Sequence, residues 1–176
     1  MCQVRFIGCL HLGHKAIAQH RDFTDEYHHD EHLVDYWNRT VSKRDLTYIL
    51  GDITMESDQY YYQLDRLNGR KIVVLGNHDR HQDVKELLKY VDSVAGMIDY
   101  KGFCLTHAPI HPSEIGMYRG NIHAHIHHEN KLMQVFAANK YNDEDSVMKY
   151  TLDKYYNVDA KIIDFKPKTI EELLSR

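Results

Sequence analysis

Metal-type side chains recur in five separate segments of the chain, most of which follow short apolar runs. The segments are Cys9-Leu10-His11, Gly51-Asp52, Gly76-Asn77-His78-Asp79, His107 and the run His123-Ala124-His125-Ile126-His127-His128. Imidazoles, carboxylates and an asparagine amide oxygen are ligands for borderline divalent metals. Open α/β sheets place their sites at strand ends, so groups that follow strands in sequence can meet in space. The order predicts a metal centre, and a pair of metals can activate water and hold a phosphate in one place.

Taken singly, most of these segments also have an ordinary structural explanation. Gly51-Asp52 is typical of a turn with a capping aspartate, and His107 alone could be a hydrogen-bonded core histidine. An extended His125-x-His127 pair points both imidazoles to one side, but a polar strand edge would look the same. Gly76-Asn77-His78-Asp79 is more specific, since packing does not explain three metal-capable residues after a buried strand; its alternative is a type I turn with solvated side chains. Together the segments favour a functional site.

Hydrophobic periodicity predicts a first half in which strands and helices alternate. Strands are expected at 4–7, 47–50 and 71–75, and helices over about 25–41, 59–67 and 83–90. The second half is predicted to be mostly strand, followed by a helix with a threonine N-cap. The expected strands are 94–100, 103–106, 121–125, 132–137 and 160–163, and the helix is 169–174. This order indicates a mixed sheet, or two sheets packed face to face with helices outside.

Composition places the chain among ordinary globular domains. Its 176 residues suit a single domain, 1–176, with a hydrophobic core. The net charge of -4 gives no support for nucleic-acid binding over the whole surface, although a local basic groove stays open. Three cysteines without paired spacing argue against a disulfide framework. With no signal peptide and no apolar run of about 18 residues, a cytoplasmic protein without membrane contact is expected.

The ordered segments resemble the calcineurin-like metallophosphoesterase family. That family has Asp-x-His, Gly-Asp, Gly-Asn-His-Asp/Glu, a lone His and Gly-His-x-His in this order. The matching positions are Cys9-x-His11, Gly51-Asp52, Gly76-Asn77-His78-Asp79, His107 and Ala124-His125-Ile126-His127. The resemblance runs nearly end to end and is closest to small single-domain members. It implies an α/β fold, a four-layer α/β/β/α sandwich of two mixed β-sheets flanked by helices.

The resemblance also implies a dinuclear phosphoesterase, either a phosphodiesterase or a phosphatase. Two divalent metal ions (manganese, iron, zinc or nickel) would share the carboxylate of Asp52. The first metal would also take Cys9, His11 and His127, and the second would take Asn77, His107 and His125. Metals about 3.5–4 Å apart lower the pKa of a shared water, and the resulting hydroxide attacks phosphorus.

Two further residues receive catalytic roles from the resemblance. His78 would be the general acid that protonates the leaving group, and Asp79 would orient a histidine from outside the ligand set. The expected substrate is a small phosphate ester or a nucleotide. Diester activity is slightly favoured, because the short chain lacks obvious inserted capping segments and should leave the cleft open.

Two positions depart from the family pattern. Ala124 replaces a glycine, which matters little unless that backbone needs a positive φ. Cys9 replaces the first aspartate. As a thiolate it would favour zinc or iron over manganese or magnesium and make the centre sensitive to oxidation. As a small buried hydrophobe it would leave the first metal weakly held. The alternative function is then a catalytically impaired metal-binding or interaction module on the same fold.

The remaining polar residues near these segments carry weaker expectations. Arg21 is expected at the surface, with a phosphate contact as the alternative. His28, His29 and His32 are expected on the exposed face of the helix over 25–41.

Overall fold

The structure is a computed structural model that describes residues 2–128 and 152–175. Within these residues eight strands form two sheets of four. The first sheet contains β1 (Val4–Ile7), β2 (Leu46–Ile49), β3 (Arg70–Val74) and β4 (Ser93–Ala95). The second contains β5 (Ile98–Tyr100), β6 (Phe103–Leu105), β7 (Gly120–His123) and β8 (Tyr155–Asn157). In each sheet the strands lie side by side in chain order.

Helices connect the strands of the first sheet. Between β1 and β2 lie α1 (Lys15–His20) and α2 (Glu26–Thr40). A 3-10 helix, Tyr61–Arg66, precedes β3, and α3 (Val84–Leu87) precedes β4. The last helix, α4 (Ile170–Leu174), begins at the predicted cap, where Thr169 and Glu172 form a reciprocal capping box. Within the described residues no helix combines the length and the apolarity needed to cross a bilayer.

The two sheets pack face to face over one hydrophobic core. The Phe6 ring stacks on Tyr48 of its own sheet at 5.7 Å and meets Tyr100 of the second sheet at 5.9 Å, measured between ring centroids. Ile49 and Val73 from the first sheet and Ile122 from the second are fully buried in the same cluster. The fold class predicted from the sequence, two sheets with flanking helices, is therefore confirmed.

The strand directions differ between the sheets. All pairings in the first sheet are parallel, which suits short apolar strands buried on both faces. In the second sheet β5 and β6 are antiparallel, whereas β6, β7 and β8 run parallel. Among the described strands the second sheet is mixed and the first is parallel, and an isolated antiparallel bridge joins Phe6 of the first sheet to Lys168.

Several predicted elements differ in detail. The expected strand 94–100 is divided at Gly96-Met97, so that β4 joins the first sheet and β5 the second. The expected strand 160–163 is a turn, in which the Ile163 N–H donates to the Asp159 carbonyl at 3.1 Å. The strand in this region is β8 instead. The helix predicted over 59–67 is the shorter 3-10 helix 61–66, and the predicted strand 132–137 lies outside the described residues.

Candidate metal centre

The strand ends bring the five chemical segments together. β1, β2 and β3 end in register, since Ile7 pairs with Ile49 and Ile49 with Val73. The segments after these strands carry Cys9, His11, Asp52, Asn77, His78 and Asp79. In the second sheet β6 is followed by His107 and β7 by His125 and His127. The two sheet edges touch, because a Cβ built on Gly8 would lie 2.5 Å from the Cβ of Ala124.

Four of the predicted ligands have left-handed backbone. Their φ values are 54° at Cys9, 50° at His11, 53° at Asp52 and 64° at His125. Non-glycine residues rarely adopt this conformation, and such residues cluster at functional sites that hold them in place. Ala124 is not among the left-handed residues, so its replacement of the family glycine imposes no backbone strain.

One group of candidate ligands lies around His107. Its Nε2 lies 2.9 Å from Asn77 Oδ1, 3.0 Å from His125 Nδ1 and 3.3 Å from Asp52 Oδ2. Its Nδ1 is 2.8 Å from the Leu50 carbonyl oxygen. Because a carbonyl can only accept, Nδ1 carries the proton, and a neutral His107 turns the Nε2 lone pair toward the acceptor oxygens of Asn77 and Asp52 and toward the ring nitrogen His125 Nδ1. A cation at the point where they converge satisfies all four.

The pKa of His107 also indicates that its surroundings favour a positive charge. Burial alone would lower this pKa, but the hydrogen bond and charge of Asp52 raise it above its ordinary value. The pKa of Asp52 is lowered: burial acts to raise it, and the hydrogen bond and charge of His107 outweigh that effect. In the metal-free protein a proton on His107 can therefore supply part of the charge that a metal would bring.

A second group consists of Cys9, His11 and His127. One potential ligand atom from each lies within 4.8 Å of the others. His11 is 1% exposed, and within the described residues neither of its ring nitrogens has a hydrogen-bond partner. Burial, followed by the charge of Arg21, lowers the pKa of His11 to about 3, so its ring is neutral. An unpartnered buried imidazole is costly, and a metal ligated by its nitrogen would supply the missing partner.

Asp52 stands between the two groups. Its Oδ2 is 3.3 Å from His107 Nε2 and 3.8 Å from His11 Nε2, and its Oδ1 accepts a hydrogen bond from the His78 backbone N–H at 3.0 Å. Asp52 therefore lies within reach of both groups of candidate ligands. The donor set on both sides of it fits borderline divalent cations.

Cys9 lies among the candidate ligand atoms. It is fully buried, its Sγ accepts a hydrogen bond from the His125 N–H at 3.2 Å, and it falls within ligand reach of both groups. Burial raises the thiol pKa well above its ordinary value, and the charges of Asp159 and Asp52 raise it further. Without a metal Cys9 is a neutral thiol, and a metal that it ligates must displace the proton.

His78 lies at the rim of this arrangement. Its side chain is 30% exposed, and its Nδ1 is 3.3 Å from Glu56 Oε1. The ring centroid is 6.1 Å from that of the buried His11. The imidazole can therefore reach solvent or a substrate while its other side is held by a carboxylate.

Asp79 hydrogen bonds to the backbone of the neighbouring loops. Its carboxylate accepts backbone N–H groups from Asp52 at 2.7 Å, Gly76 at 2.8 Å and Ile53 at 3.0 Å. Among the described contacts its hydrogen bonds go to the backbone, and none goes to a histidine ring. Asp79 ties the loop after β2 to the loop after β3 and so fixes the position of Asp52.

Arg21, His29 and Asp159 are the residues that sequence reasoning misplaced or missed. Arg21 and His29 were expected at the surface, but Arg21 is 6% exposed and His29 is fully buried. Asp159 is also fully buried and hydrogen bonded to His127. A signal for Asp159 existed, because it follows the end of β8 as Asp52 follows β2. It was missed because the strand was placed after it.

The sequence was compared with known families and proteins. A sequence model described as calcineurin-like phosphoesterase matches residues 3–170, nearly the whole chain. The chain belongs to this family. The resemblance inferred from the ligand order is thereby confirmed, and the family supports a metal-dependent phosphoesterase in general terms.

Individual relatives add little about function. The uncharacterized protein MJ1445 of Methanocaldococcus jannaschii is 26% identical over 97% of this chain and 89% of its own length. The gene 66 proteins of Mycobacterium phages D29 and L5 are 42% and 37% identical over 46% and 45% of this chain. These matches span only 42% and 41% of the phage proteins, less than half of each.

A solved structure shares the fold of this family member. The protein of unknown function AQ665 from Aquifex aeolicus superimposes with a TM-score of 0.68 and 21% identity. The superposition covers 98% of this chain and 97% of that one. At 21% identity this similarity is evidence for a shared fold only.

Proposed function

We propose that this family member is a phosphoesterase that binds two divalent metals on either side of Asp52. The observation that carries the proposal is the convergence at His107 Nε2 of potential ligand atoms from Asn77, His125 and Asp52, all within 3.3 Å. The unpartnered ring of His11 supports a metal on the other side. The first metal would be held by Cys9, His11, Asp52 and His127, and the second by Asp52, Asn77, His107 and His125.

When bound, such a pair would supply an acidified water and positive charge facing the phosphoryl oxygens. The protein's own residues do the rest. Asp52 holds the two ligand groups together, and Asp79 fixes Asp52 through the backbone. His78, at the rim, would donate a proton to the leaving oxygen, and Glu56 Oε1 lies 3.3 Å from its Nδ1, which leaves Nε2 available for that transfer.

The substrate that we propose is a small phosphate ester or nucleotide, with a preference for diesters. His125 and Asn77 are exposed whereas His11 and Cys9 are buried, so the ligand groups open to solvent on one side. A diester needs such an open approach, because both of its ester groups must pass the rim. A leaving alkoxide also needs the proton that His78 can supply.

The test of this function is hydrolysis of a chromogenic bis-phosphodiester by the purified protein with added manganese or zinc. His78→Ala should lower kcat by about 10²–10⁴, the usual value of general acid catalysis, without changing the metal content. The matched control is His28→Ala, which removes an exposed histidine outside the ligand groups and should leave kcat unchanged. Absence of turnover with every metal would contradict the proposal.

A second candidate is a metal-binding or interaction module whose catalysis is impaired. Its motivation is Cys9, whose raised thiol pKa opposes metal binding at the first position. Elemental analysis of the purified protein distinguishes the two. About two metals per chain with turnover favours the enzyme, whereas one metal or none without turnover favours the module.

A further inference from the structure

A buried network of charged side chains lies behind the first ligand group. Arg21 and Asp159 form an ion pair at 3.3 Å, and their side chains are only 2% and 0% exposed. His29 and Asp30 extend the network and are also buried. Buried ions cost free energy unless they are paired and fully hydrogen bonded. The hydrogen-bond partners of Arg21 and Asp159 therefore indicate which part of the site the pair supports.

Asp159 holds the ligand His127. The Nδ1–H of His127 donates to Asp159 Oδ2 at 2.7 Å, which leaves the Nε2 lone pair of the ring free for a metal. The other carboxylate oxygen accepts the Lys161 N–H at 2.9 Å, so the carboxylate itself cannot rotate freely. The His127 ring is thereby held with its centroid 5.4 Å from that of His11.

Arg21 holds the segment that carries the ligand Cys9. Its Nη2 donates to the Cys9 carbonyl at 2.8 Å and to Asp159 Oδ2 at 3.3 Å, and its Nη1 lies 3.4 Å from the Leu10 carbonyl. Cys9 has left-handed backbone, a conformation that persists only where its surroundings enforce it. The guanidinium therefore braces a strained residue and a ligand-bearing carboxylate at the same time.

The guanidinium of Arg21 is also linked, through His29 and Asp30, to the other end of the loop that contains Cys9 and His11. Its Nη1 is 3.0 Å from His29 Nε2, and because arginine only donates, His29 Nε2 must accept. The His29 Nδ1–H then donates to Asp30 Oδ1 at 2.9 Å, and Asp30 Oδ2 accepts the Gly13 N–H at 2.9 Å. The network is thus anchored at both ends of the loop that contains Cys9 and His11.

We propose that Arg21 and Asp159 are positioning residues that set the affinity of the first metal position. This inference rests on the proposed two-metal function and names residues outside its ligand set. The ion pair fixes Cys9 and His127 relative to each other, and neither partner hydrogen bonds to Asn77, His107 or His125 among the described residues. Loss of the pair should therefore weaken the first metal and spare the second.

The experiment is a Co²⁺ titration of chelator-stripped protein. The thiolate-to-cobalt charge-transfer band reports the position that contains Cys9, and the visible ligand-field bands report both positions. In Asp159→Asn and in the double variant Arg21→Met/Asp159→Asn we expect the affinity of the Cys9 position to fall by about 10–100-fold, while the other position is unchanged. Equal affinities in wild type and variants, or equal losses at both positions, would overturn the inference.

Folding is controlled in two ways. The double variant removes both charges, so that no unpaired ion stays buried, and circular dichroism checks that the stripped variants are folded. Asp45→Asn is the matched control, because Asp45 is 3% exposed and accepts the N–H groups of Gln3 and Ser42, away from every ligand segment. If Asp45→Asn weakened cobalt as much as Asp159→Asn, the effect would be general instability and the inference would fail. Wild-type protein that binds no cobalt would overturn the proposed centre itself, a result distinct from unaffected variants.

Discussion

Cys9 occupies the place where the family pattern has an aspartate. A carboxylate is already ionised at neutral pH, whereas the buried Cys9 thiol has a pKa raised first by burial and then by the charges of Asp159 and Asp52. Metal binding through this residue must therefore release a proton that an aspartate would not hold. The thiolate also favours softer metals.

The exchange Cys9→Asp should change both the pH dependence and the selectivity of metal binding. Below the thiol pKa, the metal affinity of the first position should increase with pH in both proteins. The increase should be steeper in the wild type, by about one further factor of ten per pH unit, because one extra proton is released there. The preference for zinc over manganese should fall. Competition titrations against a chromogenic chelator between about pH 6 and about pH 8 measure the pH slope and the metal preference. Parallel pH slopes in the two proteins would show that Cys9 is not a ligand.

His123 is a buried histidine outside the predicted ligand set. Burial lowers its pKa to about 4, although a hydrogen bond to the Ala124 carbonyl acts in the opposite direction. The unfolded chain therefore binds a proton at a higher pH than the folded chain does. Stability should be fully present above the unfolded pKa of 6.5 and be lost as pH falls from there toward about 4.

His123→Gln tests this linkage. The amide can still donate a hydrogen bond but does not titrate, so the variant should lose less stability on acidification. The difference in slope of unfolding free energy against pH should be at most about 1.4 kcal/mol per pH unit. Urea denaturation of the metal-free proteins gives these slopes, and the exposed His128→Gln should behave as wild type. A variant that is as acid-sensitive as wild type would contradict the assignment.

At the scale of elements, the loops after β2 and β3 pack so closely that glycine is required. A Cβ built on Gly76 would collide with the Asp52 Oδ1 and lie 2.9 Å from His107 Nδ1. A Cβ on Gly116, in contrast, has no other heavy atom within 4 Å. Neither residue has a positive φ, so the two positions differ in space and not in backbone strain.

Gly76→Ala should therefore displace Asp52 and weaken both metals, whereas Gly116→Ala should change neither. We expect a loss of at least about tenfold in metal affinity for Gly76→Ala, comparable to the loss of a group that orients a ligand. Isothermal titration calorimetry with zinc and manganese measures the affinities of both variants. Equal affinities in the two would show that the loop can move aside without cost to the centre.

At the scale of the whole molecule, the site lies where the edges of two sheets meet. Gly8, just after β1, pairs with Asp159, just after β8: the Gly8 N–H donates to the Val158 carbonyl at 2.9 Å, and the Ala160 N–H donates to the Gly8 carbonyl at 3.0 Å. This connection brings His125 and His127 from the second sheet to Cys9, His11 and Asp52 from the first. The proposed metal centre therefore requires both sheets to be in place.

Much of this arrangement could be predicted from the sequence, because strands that end in glycine and polar residues mark the edge directly. The order of the five segments along the chain was enough to predict the family and, through it, the fold class. Local spacing did not reveal that the apolar run 94–100 is shared between two sheets, since tertiary pairing decides where such a run divides.

The buried charges were not predicted either. For His29 a signal existed, because it lies four and eight residues before the buried Leu33 and Trp37 on α2. For Arg21, only the fold brings Asp159 to 3.3 Å from the guanidinium. The role of Asp79 was also hidden, because its partners are backbone groups of a loop distant in sequence. Contacts of this kind depend on three-dimensional proximity.

The most direct measurement is a crystal structure of the protein grown with zinc or manganese, with the metals located by anomalous scattering. We predict two metals about 3.5–4 Å apart, with the Asp52 carboxylate between them. The Cys9 sulfur should lie about 2.3 Å from the metal at the first position if that metal is zinc. A single metal bound away from Asp52, or none in crystals soaked at saturating concentration, would contradict the account.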